Sequence, residues 1–268
     1  MLLTAEALLP VLQNVCGAAP AASHRPLAEY LRLIPRLESL ADLPPGTPVL
    51  VRGDVDAKPG EAVGDGDVRL RSMRETLEYG RQRGWKQIVF GHIGREPEKS
   101  LKKVAHRIGQ IMNCAAPLIE NWWDEGAQRV ADHVTQTIQA AQPGSLLVLE
   151  NTRRYAIERV LWKAKPAELP SLAAALTTLA NEMAAKIARV YVNEALSAGS
   201  LDASTTVVPA AMDRVALGKY VAAEFDGPMM RCLATQLVVF SGLKTDKLDD
   251  LQAMIDRGTV KMVFAAGS

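Results

Sequence analysis

The chain has 268 residues, 48% of them hydrophobic, with 31 Lys+Arg against 30 Asp+Glu for a formal net charge of +1. That length allows one large domain or two of ordinary size with a sizeable core, and the charge balance excludes the basic footprint of a protein that binds nucleic acid without specificity. Three cysteines, Cys16, Cys114 and Cys232, lack metal-ligand or disulfide spacing, which points to a reducing compartment and a cytoplasmic protein.

The opening MLLTAEALLPVLQ is apolar but has no basic flank and is interrupted by Glu6 and Pro10, so it is not expected to be a secretory signal, and no apolar run reaches the roughly 18 residues needed to span a bilayer. Residues 1–43 read as an extension of one or two short amphipathic helices, broken at Pro10, Pro20, Pro26 and Pro35 and either packed on the domain or partly disordered. Pro44-Pro45-Gly46 makes a turn into the first core strand, the run from Val49 to Ala57, VLVRGDVDA. The Gly and Asp loop KPGEAVGDGD follows, then a helix over 69–83 with Leu70, Met73 and Leu77 on one face, and a strand over 87–90, which together make a right-handed βαβ unit.

After GHIGREPEKS, Ser100 is a candidate N-cap for a helix over 101–112 with Val104, Ile108 and Ile111 inward. A short strand is expected over 117–120, a packed aromatic corner at Trp122-Trp123, a helix marked by Val130, Val134 and Ile138, and a strand over 146–149. An Ala-rich helix over 168–188 feeds a strand over 189–192, followed by NEALSAGSLDASTT. A helix over 215–225 is closed by Asp226-Gly227-Pro228, and a fresh unit begins: strand 236–240, the loop SGLKTDK, helix 248–255 with Gly258 as its stop, and strand 261–264. The alternation implies an α/β fold, three-layer α/β/α around a parallel sheet, with an incomplete second α/β unit. The domains divide as extension 1–43, a binding domain 44–214, and 215–268 as a connecting helix with the start of a second domain.

Three strand-like runs end in polar residues. Arg52, Asp54 and Asp56 follow the first, His92 and Arg95 the second, and Arg153 the third, in LENTRRY. The rim outside the carboxyl ends of parallel strands is where open α/β sheets place ligands, and this rim suits a small anion. Taken singly, Arg52 and Asp54 fit a structural ion pair as well as a ligand site. His92, between two glycines, is better explained by ligand contact, and Arg69 at a helix start opposes the helix dipole, a cost that a ligand could explain. His24, His106 and His133 are too scattered to form a metal set, and no dinucleotide or P-loop glycine fingerprint is present.

The blocks VLVRGDVD, DVR, GHIGR, LENTRRY, VNEALSAG and SGLKTDK, in this order, resemble the phosphoglycerate kinase family from about Leu40 to Ser268. The resemblance implies a glycolytic kinase in which an N-terminal domain binds 3-phosphoglycerate or 1,3-bisphosphoglycerate, and a C-terminal domain, here only begun, binds ADP or ATP with Mg. It implies Arg52 and Lys244 as catalytic, Lys244 lying near the transferring phosphate and the nucleotide. It implies Asp54, Asp56, Arg69, His92, Arg95 and Arg153 as substrate-binding, and no general base, since a carboxylate nucleophile needs none.

The chain departs from the family pattern at Asp56, where an amide is usual, at Ser200 and Leu201, where a histidine and an arginine are usual, and at Ser241-Gly242, where the family has a glycine pair. Arg154 or Arg159 could restore the missing charge. Two other readings stay open: a catalytically inactive structural or interaction protein on this fold, with a protein partner covering the second unit, and a small-anion binding module.

Overall fold

The computed structural model describes residues 2–17, 27–197, 201–241, 246–256, 258 and 260–266. They fall into two compact units, Met1–Val221 and Ala222–Ser268.

The first unit opens with α1 (Ala5–Val15) and α2 (Leu27–Leu33), then β1 (Pro48–Gly53), α3 (Val68–Ser72), α4 (Arg74–Gln82), β2 (Lys86–Phe90) and α5 (Lys102–Met112). It continues through β3 (Leu118–Ile119), β4 (Trp123–Asp124), β5 (Arg129–Val130), α6 (Asp132–Ala140), β6 (Leu146–Leu149), α7 (Leu169–Lys186), β7 (Val190–Glu194), α8 (Ala203–Thr206), β8 (Arg214–Leu217) and the start of α9 (Lys219–Glu224). Six strands form one sheet in the order β3-β6-β2-β1-β7-β8, with every pairing parallel.

The period-two alternation of side chains divides the strand residues between two cores. Leu50, Ile88, Phe90, Leu147, Leu149 and Tyr191 join one core with α1, α6 and α7. Val49, Val51, Val89, Val148, Val190 and Val192 join the other with Leu70, Leu77, Val104 and Ile108 of α3, α4 and α5. Burial on both faces explains why these strands read as continuous apolar runs, and gives the three-layer α/β/α arrangement.

Several elements differ from their sequence reading, each for a packing reason. Helix α1 runs through Pro10 instead of breaking there: Leu8 and Leu12, one turn apart and fully buried, join the core that contains Leu176, Leu179 and Met183 of α7. The side-chain amide of Asn181 fixes the chain just before α1, accepting from the Leu3 N–H at 3.0 Å and donating to the Leu3 carbonyl at 2.9 Å. The described residues of the segment read as an extension thus include α1, which packs into a core of the first unit. The helix expected over 69–83 divides at Met73 into α3 and α4, with Leu70, Met73 and Leu77 buried as the periodicity requires. Val130 pairs with Trp123 in the β4–β5 hairpin and does not open α6.

Val215, Ala216 and Leu217 were expected to open a helix. They form the edge strand β8, because the apolar run pairs with β7 from Val190 to Asn193. Gly218 then turns the chain into α9 at a spot where a Cβ would come within 2.1 Å of the Glu194 carboxylate.

In the second unit the helix does not close at Asp226-Gly227-Pro228. It widens into a π-type turn over Phe225–Met229 and continues as α10 (Met230–Leu233). Pro228 has no N–H to give the helical ladder, and a wider turn accommodates that loss. Strand β9 (Leu237–Phe240), α11 (Asp246–Asp256) and β10 (Met262–Ala265) follow, with β9 and β10 paired in parallel and Leu237, Val239, Met262 and Phe264 exposed.

The burial of α1 yields a measurable expectation. Leu8→Ala should lower the urea-unfolding free energy of the first unit by about 3 kcal/mol, the usual cost of truncating a buried leucine; a loss below about 1 kcal/mol would mean that α1 is not part of the cooperative unit.

Candidate functional site

Strands β1, β2 and β6 are parallel neighbours, so their carboxyl ends share one rim. Arg52 is the penultimate residue of β1, opposite Phe90 and Asn193 on its two sides, and its guanidinium lies 5.8 Å from the Phe90 ring. The glycine at 91 makes room for it. A Cβ there would meet Arg52 Nη1 at 2.6 Å and the Gly53 carbonyl at 2.8 Å, so the backbone after β2 must pass over the guanidinium with no side chain.

Arg52 is 1% exposed, and each of its three nitrogens has a partner: Nε donates to Ser204 Oγ at 3.1 Å, Nη1 to the Gly53 carbonyl at 3.0 Å and Nη2 to His92 Nδ1 at 3.0 Å. Because a guanidinium only donates, His92 Nδ1 is the acceptor and its proton sits on Nε2. Burial, with the nearby charges of Arg52, Arg153 and Arg69, pushes the His92 pKa down to about 3, so the imidazole is neutral at pH 7.

A buried guanidinium is tolerable only when its charge is met. Asp202, 0% exposed, meets it. The carboxylate accepts from Arg153 Nη2 at 3.0 and 3.3 Å and from Trp162 Nε1 at 2.9 Å, and lies 3.7 Å from Arg52 Nη2 and 3.4 Å from His92 Nδ1. Arg153 also donates through Nη1 to the Gly94 carbonyl at 2.8 Å and stacks 4.7 Å from the Trp162 ring. Behind this group, buried Glu158 accepts from Ser204 Oγ at 2.5 Å and Ser204 N at 2.9 Å. Burial pushes the Glu158 carboxyl above the usual range against the pull of Arg52, and Asp202 adds to the rise.

Farther out, Asp54 Oδ1 accepts from Ser197 Oγ at 2.7 Å and from Arg69 Nη1 at a long 3.4 Å, with the Arg69 side chain 46% exposed. Asp56 is turned to the backbone, accepting from Gly94 N at 3.0 Å. Gly94 thus ties the GHIGR loop to the strand-one loop on one side and to Arg153 on the other. Arg95, the next residue, is exposed. Arg154 reaches back to Glu150 at 3.3 Å, and Glu150 also holds Ser100 Oγ, Leu101 N and Asn151 N.

A second buried ion pair latches the 58–67 loop beside the rim. Arg107 donates to Asp67 at 2.7 Å and to the carbonyls of Gly60, Ala62 and Asp65. Burial would raise the Asp67 carboxyl, but the Gly64 amide, Arg107 and Arg71 together hold it below its usual value. The 58–67 loop is thus pinned to α5 by Arg107.

The structure therefore brings Arg52, His92 and Arg153 together around buried Asp202, sets Asp54 with Arg69 beside the group, and attaches Asp56 to the loop that carries Arg95. Lys244 lies outside the described residues. Sequence reasoning missed Asp202, Glu158, Ser204, Trp162 and Arg107. Arg107 carried a signal: with Val104, Ile108 and Ile111 it stands on the inward stripe at i, i+3, i+4 and i+7, and a charge on an apolar stripe implies a buried partner. Asp202 before Ala203-Ser204-Thr205 reads as a helix N-cap, yet it makes no side-chain cap bond in α8, the carboxylate having turned to the arginines instead.

A family model described as Phosphoglycerate kinase matches residues 41–267. A phosphoglycerate kinase of Salinibacter ruber (strain DSM 13855 / M31) is 33% identical over 222 residues, covering 77% of this chain and 48% of its own length. One of Salinispora tropica is 30% identical over 234 residues, covering 81% of this chain and 53% of its own. The chain thus spans about half the length of these curated relatives. In fold it is similar to solved phosphoglycerate kinases of Pyrococcus horikoshii OT3 (TM-score 0.64, 20% identity, 87% of this chain and 55% of that one) and Coxiella burnetii (TM-score 0.62, 22% identity, 86% and 53%).

The depressed His92 pKa sets a pH dependence. The unfolded chain takes up a proton at this residue below about 6.5, which the folded chain refuses until about 3, so the stabilisation is complete above 6.5 and is lost as pH falls through that window. The His92 ring resonances should stay unshifted in an NMR titration down to pH about 4, and His92→Gln should reduce the loss of stability between pH 6.5 and 4; titration of His92 near its ordinary value of about 6.5 would show that the cluster does not hold it neutral. Arg107→Ala, which removes the buried partner of Asp67 and leaves the Gly60, Ala62 and Asp65 carbonyls without that donor, should destabilise by about 2 to 4 kcal/mol and open the 58–67 loop to limited proteolysis before global unfolding.

Proposed function

Given that the chain belongs to the phosphoglycerate kinase family, we propose that it serves phosphoryl transfer between 1,3-bisphosphoglycerate and ADP, and that the rim of β1, β2 and β6 receives the 3-phosphoglycerate end. The observation that carries this reading is the convergence of cationic and donor groups on one sheet rim: Arg52 and His92 buried and Arg153 mostly covered at the strand ends, with Arg69 and Arg95 standing outward. Their reach to solvent differs, and so do their roles.

Arg95 and Arg69 meet the ligand first. Arg95 is exposed, and among the described residues the Arg69 guanidinium is held by a single 3.4 Å contact to Asp54, so a phosphate can recruit both at little cost in broken bonds. A guanidinium suits it, since the planar fork can pair two phosphate oxygens at once. Asp54, oriented by Ser197, accepts the glycerate hydroxyl. Arg52 acts from beneath by keeping the rim's potential positive and His92 in its neutral tautomer, with Nε2–H as a donor. Asp56 is kept from the bound anion by its bond to Gly94.

Transfer to or from a carboxylate needs placement, neutralisation of the migrating group and exclusion of water, with no general base. The nucleotide enters as its magnesium complex, the Mg being part of that substrate, and Lys244 supplies a mobile positive charge to the migrating phosphoryl group. A reducing, cytoplasmic setting fits the cysteine usage.

Calorimetric titration of the chain with 3-phosphoglycerate tests the reading. Weak binding is expected, falling about tenfold in Arg95→Ala as one charge-assisted hydrogen bond is lost. No binding by the wild-type chain, or binding unchanged in both Arg95→Ala and Arg69→Ala, would overturn the assignment.

A further inference from the structure

The buried half of the rim is already occupied by the chain itself. The Asp202 carboxylate has no exposure and draws donors from three directions: both its oxygens face Arg153 Nη2 at 3.0 and 3.3 Å, Trp162 Nε1 donates at 2.9 Å, and Arg52 Nη2 stands at 3.7 Å. His92 Nδ1 lies 3.4 Å from it. An aspartate fixing a helix start would face the amides of α8. This one does not.

The two segments that build the cluster also carry donors that no partner satisfies. Arg153 Nε, Arg159 Nε, Thr152 Oγ1 and Thr205 Oγ1 are all buried without a hydrogen-bond partner. They come from the two segments, 152–159 and 202–205, that supply Arg153, Glu158, Asp202 and Ser204. Unpartnered buried donors are uncommon in native proteins, and several on the two segments that build one cluster call for an explanation. A planar carboxylate offers fewer acceptor directions than a tetrahedral oxyanion, so an excess of donors around it is what an oxyanion site filled by a smaller internal anion would leave.

We propose that the Asp202 carboxylate is a built-in occupant of an oxyanion site: it takes the position that a ligand's phosphate or carboxylate group would hold between Arg153, Arg52 and His92, and thereby sets the anion affinity of the rim. The inference rests on reading the rim as an anion site. It adds that the anion reaching it in the wild-type chain is confined to the outer arginines, and that the inner ones are reserved by an internal competitor. Glu158 does not play the same part, because its two short bonds go to Ser204 and it is separated from Arg52 by that hydroxyl.

Inorganic phosphate and 3-phosphoglycerate are to be titrated into the full chain as wild type, Asp202→Asn, Asp202→Glu and the Asp202→Asn/Arg153→Ala double variant, read by calorimetry and by thermal unfolding. Asp202→Asn should bind phosphate about tenfold or more tightly than wild type and gain thermal stability with added phosphate; Asp202→Glu should not gain, and the double variant should lose the gain. Equal phosphate affinity in Asp202→Asn and wild type, or a gain that persists without Arg153, overturns the proposal. So does an Asn variant that stays unfolded at every phosphate concentration, since an external anion should replace the missing carboxylate. A phosphate gain in Asp202→Asn with no 3-phosphoglycerate binding by wild type keeps this inference and removes the substrate assignment. Arg95-dependent 3-phosphoglycerate binding with no gain in Asp202→Asn does the reverse.

Discussion

Two guanidinium groups, the buried Arg52 and the mostly covered Arg153, meet at the carboxyl end of a parallel sheet, and one buried carboxylate, Asp202, stands against both. In water such contacts contribute little. In a desolvated site the desolvation cost of each ion is several kcal/mol, and removing one partner strands the others at a cost of about 3 to 5 kcal/mol. The arrangement of the rim follows from that constraint. Gly91 is bare so that the backbone can cross Arg52, His92 is neutral so that it can accept from it, and Trp162 stacks on Arg153 while donating to the same carboxylate.

The sheet supplies the frame in which this cluster can exist. All six strands point the same way, so residues far apart in sequence, at 52, 92 and 153, end on one rim without any long excursion of the chain. The two cores fix the register beneath them: a one-residue slip in β1 would exchange Arg52 for Val51 on the face that holds Phe90 and Tyr191. The same logic places Glu194 at the end of β7, where Thr76 donates to it at 2.7 Å and the Tyr220 and Val221 amides of α9 at 3.0 and 3.3 Å. Burial raises that carboxyl, and these donors are what allow it to remain at the strand end.

The elements legible in the sequence were those whose pattern is decided by burial. Apolar runs gave β1, β2, β6 and β7, and the 3.6-residue stripe of Val104 and Ile108 gave α5. Where two patterns compete the sequence was ambiguous: Val215-Ala216-Leu217 is equally apolar as a helix or a strand, and only the free edge of β7 decides it. Pro10 shows the opposite case, a strong local signal overridden by tertiary packing on α7. For the rim, the strand-end positions of Arg52, His92, Arg95 and Arg153 were legible because topology alone brings them together. Their state of engagement was not, because that depends on Asp202, which arrives from a loop some fifty residues beyond Arg153 and looks locally like a helix cap.

The consequence is a division of labour across the rim that no single motif expresses. An inner cation that is fully paired contributes a fixed field and a rigid floor, whereas an outer one such as Arg95 can move to a ligand and bind two of its oxygens. A ligand anion that entered the inner cluster would have to displace Asp202, trading one set of charge-assisted bonds, worth about 1.5 to 3 kcal/mol each, for another of similar strength, and would then leave the aspartate buried and unpaired. That exchange is unfavourable unless the new anion satisfies more donors than the old one. The segments that supply Arg153 and Asp202 also carry orphaned N–H and O–H groups on Arg153, Arg159, Thr152 and Thr205, so the balance between internal and external anion at this rim turns on how many of those donors a tetrahedral group can reach.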